Sequence, residues 1–270
     1  MALFLRGGQL KLVCAALLLS LGAGCAIFSG KTSAVLVKEC VLPTDQAGTL
    51  AGKWRVTPVP IALQQTVDWS AEEVQAVTSA ANTWNEFFTA TQGHKVFDYG
   101  SSESPKVSAD PVPGNLCSMG LLQGNAFRGS VVIYKQGKWP HPSGASTTMA
   151  LTNFCTSPSS PLPLTYMAYM ELNYQNFFIA GKKAPDLQTI VLHELGHLLG
   201  LQHSCEMNSK KPGMPNCVNS SLSVDYQEAL MYPSFGWYDD GTGEQKRLLM
   251  SNDQGRANCL YPSTSKAGGG

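Results

Sequence analysis

Residues 193–203 read His193-Glu194-Leu195-Gly196-His197-Leu198-Leu199-Gly200-Leu201-Gln202-His203, and three of the chain's five histidines fall within them. No other segment constrains the fold as tightly. From Asp186 to Leu199 the apolar residues Leu187, Ile190, Val191, Leu195 and Leu198 recur at three- and four-residue steps, the period of one buried helical stripe. Asp186 is placed to cap that helix, because its carboxylate accepts a free backbone N–H and favours the positive end of the dipole. On the helix His193 and His197 lie one turn apart on one face, so both imidazoles can grip one ion. Glu194 follows the first of them, close to the ion without ligating it. Gly200 is predicted to end the helix in a left-handed backbone, which glycine adopts at little cost. The chain then turns back and delivers His203 as a third ligand. Three imidazoles leave zinc's fourth position open, the arrangement of a catalytic site and not of a closed structural one.

This extended motif resembles the signature of the metzincin metalloproteases, and Ser204 directly after the third histidine is similar to the matrixin branch of that family. The segment Ala229-Leu230-Met231-Tyr232-Pro233 resembles the turn that places a methionine beneath the zinc, which makes Met231 the candidate. By the same resemblance Pro233 and Phe235 would wall the pocket for the substrate side chain after the scissile bond, although matrixins usually carry tyrosine where Phe235 stands. The implied fold is α+β and zincin-like. It has a twisted five-stranded mixed sheet, mostly parallel, two long helices above the cleft including the active-site helix, and a small C-terminal sub-domain below. Tyr166–Leu172 is rich in strand-forming residues and precedes the zinc helix, as the substrate-facing edge strand does in metzincins. An extended peptide would add to such an edge through main-chain hydrogen bonds, with Tyr169 as the candidate contact; a wholly internal strand is the alternative.

The resemblance implies peptide hydrolysis, and the residue types agree with it. Zinc lowers the pKa of a coordinated water from 15.7 to roughly 7. Glu194 would take that water's proton as general base and pass it to the leaving amine, a step typically worth ~10²–10⁴ in rate. The competing reading is a catalytically idle, zinc-stabilised envelope lipoprotein acting as a binding module. An intact Glu194 argues against it, since a binding module needs no general base.

Arg6 and Lys11 precede a Leu/Ala-rich run from Leu12 to Ala23 that is shaped like a secretory h-region and short for a membrane span. Leu21-Gly22-Ala23-Gly24-Cys25 resembles a bacterial lipobox, in which Cys25 would be lipidated and become the new N-terminus. The expected address is therefore the cell envelope as a lipid-anchored protein, or otherwise the secreted fraction. Of the eight cysteines, Cys14 would leave with the signal and Cys25 would carry lipid. The remaining six, Cys40, Cys117, Cys155, Cys205, Cys217 and Cys259, form an even set suited to disulfides in an exported protein. The favoured pairs are Cys205 with Cys217, Cys40 with Cys259, and Cys117 with Cys155.

The reading divides the chain into a signal at 1–25, a tether at 26–33, one metalloprotease domain at 34–262 and a tail at 263–270. Roughly 235 residues after the signal suffice for one zincin-sized domain. A net charge of zero with 14% charged residues offers no electrostatic case for nucleic acid, and a monomer acting on protein or peptide substrates is expected. Trp54–Leu63 is read as a first strand interrupted by Pro58 and Pro60. Ser70-Ala71-Glu72-Glu73 is a capping box, and Val74, Val77, Ala81, Trp84 and Phe88 give the helix behind it one apolar face. Val131–Tyr134 is a central strand, and Asn252 or Asp253 would cap a last helix toward Leu260. No Pro-Arg-Cys-Gly sequence occurs, so latency through such a cysteine is not expected. With only His94 and His141 left over, neither is a second structural zinc. The gap from His203 to Met231 is longer than is usual and implies an inserted loop bearing Cys205 and Cys217. The acidic turn Asp239-Asp240-Gly241-Thr242-Gly243-Glu244 is a weak calcium candidate.

Overall fold

The computed structural model describes residues 35–99, 106–108, 131–141, 147–159, 161–179 and 184–262. The signal, the lipobox with Cys25, the tether, Cys117 and the C-terminal tail lie outside the described residues. Seven strands form one sheet, β1 (Lys53–Trp54), β2 (Val59–Gln64), β3 (Phe97–Asp98), β4 (Lys106–Ser108), β5 (Val131–Gln136), β6 (Ala150–Ser157) and β7 (Leu164–Asn173). Among the described residues there are four α-helices, α1 (Ala71–Gln92), α2 (Leu187–Leu199), α3 (Val224–Glu228) and α4 (Ser251–Leu260), and a 3-10 helix at Thr44–Thr49.

The sheet is α+β and mixed, as the sequence implied, but it has seven strands where five were expected. Three of the seven, β1, β3 and β4, are only two or three residues long. The single strand expected at Trp54–Leu63 is split into β1 and β2. Pro58, which offers no backbone N–H to a ladder, stands at the break, and the Thr57–Pro58 bond is cis. In β2 the side chains of Val59, Ile61 and Leu63 are buried and alternate with half-buried neighbours, the period-two pattern of one covered face. β5 lies between β2 and β7 and is parallel to both.

β7 is internal, which decides between the two readings left open for Tyr166–Leu172. It pairs in parallel with β1 and β5 and in antiparallel with β6. Among the described residues β6 pairs with β7 alone and therefore holds the edge position beside α2. Its eight residues, ALTNFCTS, mix polar and apolar types and carry no clean alternation, which is why the sequence concealed it.

Ser70 caps α1 through a reciprocal box with Glu73, and Gly93 ends it in a left-handed conformation at φ 78°. The helix buries Val77, Ala80, Ala81, Trp84, Phe87 and Phe88. The Trp84 indole Nε1 donates to the Leu192 carbonyl at 3.0 Å, tying α1 to α2. Replacing so large a fully buried ring by alanine costs about 3–5 kcal/mol.

α2 is apolar over most of its surface because α1 and the sheet pack against it and Met231 lies beneath it. Asp186 caps its start by accepting from Thr189 N at 2.9 Å and Thr189 Oγ1 at 2.7 Å. The carbonyls that a helix end leaves without intrahelical partners are met here by side chains. Trp54 Nε1 donates to Leu198 O at 2.7 Å and Tyr261 Oη to Leu199 O at 2.8 Å. Below the helix, Cys205–Cys217 closes the inserted loop and Cys40–Cys259 joins the N-terminal segment to α4. Among the described residues no helix is long and apolar enough to cross a membrane.

Candidate active site

The helix presents His193 and His197, and its C-cap delivers the third histidine. Gly200 has φ 112°, and a Cβ there would overlap the Gly52 carbonyl. Only glycine meets both demands. The chain reverses through Leu201 and Gln202, and the imidazole nitrogens of His193, His197 and His203 come within 4.8 Å of one another. Ring centroids of the three pairs lie 4.7–5.3 Å apart.

Second partners fix two of the rings. His193 Nδ1 lies 2.8 Å from the Leu230 carbonyl and His197 Nδ1 lies 2.7 Å from the Leu201 carbonyl. A carbonyl only accepts, so each Nδ1 carries the proton and each Nε2 keeps its lone pair for an ion. Burial holds His193 well below the ordinary histidine range and pulls His197 down to about 3 and His203 to about 4. All three are therefore neutral at pH 7, the form that ligates. The donor set fits zinc: three neutral imidazoles, two of them locked from behind, converging on one another.

Glu194 is buried beside them, and its carboxyl is pushed up to about 7 by desolvation, partly offset by the Thr152 hydroxyl, which donates to Oε2 at 2.5 Å. A cation at the histidines would draw that value back down. The site opens into a cleft of about 370 Å³ whose walls include Ala150, Thr152 and Phe154 of β6, Ile190 of α2, and Pro233 and Phe235. The Phe235 ring stands edge-on to His193 at 5.1 Å between centroids.

Beneath α2, Met231 is fully buried and packs so closely that a Cβ on Gly196 would overlap its Sδ. Asp253 holds this turn from below. Its carboxylate accepts from Leu230 N at 2.8 Å, Met231 N at 3.0 Å and Met250 N at 3.0 Å. Arg256, also fully buried, donates from Nη1 to the Gln202 carbonyl at 3.0 Å and brings Nη2 to 3.9 Å from Asp253 Oδ1. Burial draws both toward neutrality, raising the Asp253 carboxyl and lowering the Arg256 guanidinium to about 10. A strap before β1 supports the histidine loop from the other side. Ala51 N donates to Gly200 O, Gln202 N to Thr49 O, and Gln46 Nε2 to Ser204 O, each at 2.8 Å.

The family model for matrixins, peptidase family M10, matches residues 53–211. The chain belongs to the matrixin family. The matched stretch carries the helix and all three histidines of this matrixin and ends before Met231. Among curated proteins none matches the chain.

The other residues singled out in this matrixin's sequence fall in three groups. Pro233 and Phe235 line the cleft, and Met231 lies under the histidines. Tyr169 does not reach the cleft. It alternates with Ala168 and Met170, which face the helices, and its ring packs against Tyr134 on the opposite face of the sheet at 6.1 Å between centroids. The period of two along β7 put it on the wrong side, which corrects its assignment to substrate binding. The last helix starts from Met250, not from Asn252 or Asp253, and Asp253 caps it from within the first turn.

Cys155 is also disulfide-bonded, while Cys117 lies outside the described residues. In the acidic turn Asp240 accepts from Thr242 and Glu244 from Gly236, so both carboxylates serve the loop's own turns. Of the remaining histidines, His141 Nε2 meets Glu171 at 2.9 Å and His94 Nδ1 lies 3.3 Å from the Gln92 carbonyl. Among the described residues the three-histidine group alone has the geometry for a metal. Two contacts at the site escaped the sequence reading: that of Thr152, which stands in a strand without a pattern, with Glu194, and those of Asp253 with Leu230 and Met231, more than twenty residues away.

Proposed function

We propose that this matrixin is a zinc-dependent endopeptidase in which His193, His197 and His203 hold the ion and Glu194 is the general base. The reading rests chiefly on one observation: a buried, intact carboxylate, Glu194, beside three convergent neutral imidazoles at the foot of an open cleft. Bound zinc would supply Lewis acidity and bring a water's pKa near 7. Glu194 would accept a proton from the attacking water and return it to the departing amine. The substrate lies extended along β6, whose outer edge offers main-chain groups for pairing. Pro233 and Phe235 flank the pocket that receives the side chain after the cut bond, and the apolar wall of Ile190 and Phe235 suits an apolar one.

The same proposal includes export through residues 1–25, lipidation at Cys25, a tether at 26–33 and a monomeric catalytic unit at 34–262. Disulfide use supports an oxidising compartment for that unit.

Casein digestion by the purified protein tests the reading. Cleavage should stop with a zinc chelator and return when zinc is restored. Glu194→Gln should keep its zinc and lose nearly all cleavage. Wild-type protein that binds zinc stoichiometrically yet cuts neither casein nor gelatin would return the chain to an idle binding role.

A further inference from the structure

Thr152 occupies a position from which it acts on the general base directly. It sits in the middle of β6, paired with Met170 of β7, on the face that looks toward the helices. Its Oγ1 donates to Glu194 Oε2 at 2.5 Å, and its next nearest acceptor, the Glu194 carbonyl, is 3.5 Å away. Among the described residues nothing hydrogen-bonds Glu194 Oε1. Both ends of the contact are held by rigid elements. β6 is zipped to β7 from Ala150 to Ser157, and α2 is capped at both ends. The β-branched threonine has little freedom at χ1, whereas the terminal torsion of a glutamate is broad and would let the carboxylate swing.

We propose that Thr152 is a positioning residue for peptide hydrolysis: its hydroxyl pins Glu194 Oε2 and leaves Oε1 as the oxygen that receives the proton. The inference rests on the reading of Glu194 as general base. The proton moves from water to Oε1 and from Oε1 to the leaving amine. Thr152 keeps its own proton throughout, and no bond to it forms or breaks. Its neighbours on the same face of β6, Ala150 and Phe154, are apolar, so a hydroxyl here is not explained by the packing of that face. Misplacement of a catalytic group by about 1 Å costs on the order of 10²-fold, which makes one fixed hydroxyl consequential.

The test uses the zinc-loaded protein and a quenched fluorescent peptide built on a casein site that the wild type cuts. Thr152→Val removes the hydroxyl at constant shape, with Thr152→Ala standing in if the valine variant does not fold. The expected result is a kcat lower by roughly 10–100-fold, the range of one hydrogen bond to a charged group. KM should stay within about twofold, and so should zinc affinity measured by competition with a chromogenic chelator. Thr152→Ser should recover most of the lost kcat. A hydroxyl-free variant with wild-type kcat, a loss that falls on KM or zinc affinity instead, or a serine variant as slow as valine overturns the proposal. A wild type that cuts no peptide, with zinc bound, refutes the endopeptidase reading itself. An active wild type silenced by Glu194→Gln but indifferent to Thr152→Val refutes only the role of Thr152.

Discussion

The sulfur of Met231 sits directly under Gly196, and Trp84 closes the same spot from α1, with its Cζ2 3.2 Å from where a Cβ would stand. The glycine is therefore a packing requirement of the turn below the histidines. Alanine is the better helix former by about 1 kcal/mol, but overpacking a filled core costs about 1–3 kcal/mol. Met231 is fully buried, so its sulfur can shift only by displacing packed neighbours, and the clash is expected to win. Gly196→Ala should lower the thermal midpoint by roughly 2–8 °C and weaken zinc binding. An alanine variant that melts with the wild type would show that Met231 can move aside.

Asp253 gathers three backbone N–H groups and the Arg256 guanidinium in one buried spot. Asparagine would offer a single oxygen to three donors and leave Arg256 without a counter-charge. Breaking such a buried arrangement costs about 3–5 kcal/mol. Asp253→Asn should unfold at much lower denaturant than the wild type, and zinc titration should show a weakened site, because both Leu230 and Met231 lose their anchor. An unchanged urea midpoint would refute this account.

The disulfides differ in the lengths they close. Cys205–Cys217 spans 12 residues of sequence and Cys40–Cys259 spans 219. The chain-entropy argument gives about 3 kcal/mol for a short loop and about 5 kcal/mol for a very long one. The double variant Cys40→Ser with Cys259→Ser should thus be the less stable of the two pairwise knockouts in calorimetry. The reverse order would mean that the short bridge acts mainly on the native loop.

These three predictions also separate what was legible in the chain from what was not. The helix with its caps at Asp186 and Gly200, the capping box at Ser70 and the three histidines are local: periodicity and turn chemistry within a dozen residues fix them. The position of Tyr166–Leu172, edge or internal, stayed open because β6 and β7 are told apart by their neighbours, and neither strand's composition carries that information. Tyr169 was lost to the period of two, where a one-residue step changes the face of the sheet. The contacts of Thr152 with Glu194, and of Asp253 with Leu230 and Met231, join segments distant in sequence and follow only from the packed fold.

Burial depresses the pKa of all three histidines, to about 3 for His197 and about 4 for His203. The unfolded chain takes up protons at these residues near pH 6.5, while the folded, metal-free protein does not. More protons bound in the unfolded state means that stability falls as pH is lowered. Metal-free protein should keep its full stability above about pH 6.5 and lose it progressively down to about pH 4. Glu194, whose carboxyl burial pushes up to about 7, acts with the opposite sign and offsets part of this loss. Thermal melts in chelator from pH 8 to 4 on the Glu194→Gln variant isolate the histidine contribution, and a flat profile there would mean that the histidines are solvated without metal.

The Cys40–Cys259 bond makes a closed ring of the chain that carries the histidines, Glu194 and the cleft. A proteolytic enzyme lives among copies of itself, and its exposed loops are the nearest substrates. Any single cut between Cys40 and Cys259 leaves one covalent molecule, with the strap still fastened to α4. Damage of that kind is invisible by size until a reductant is added.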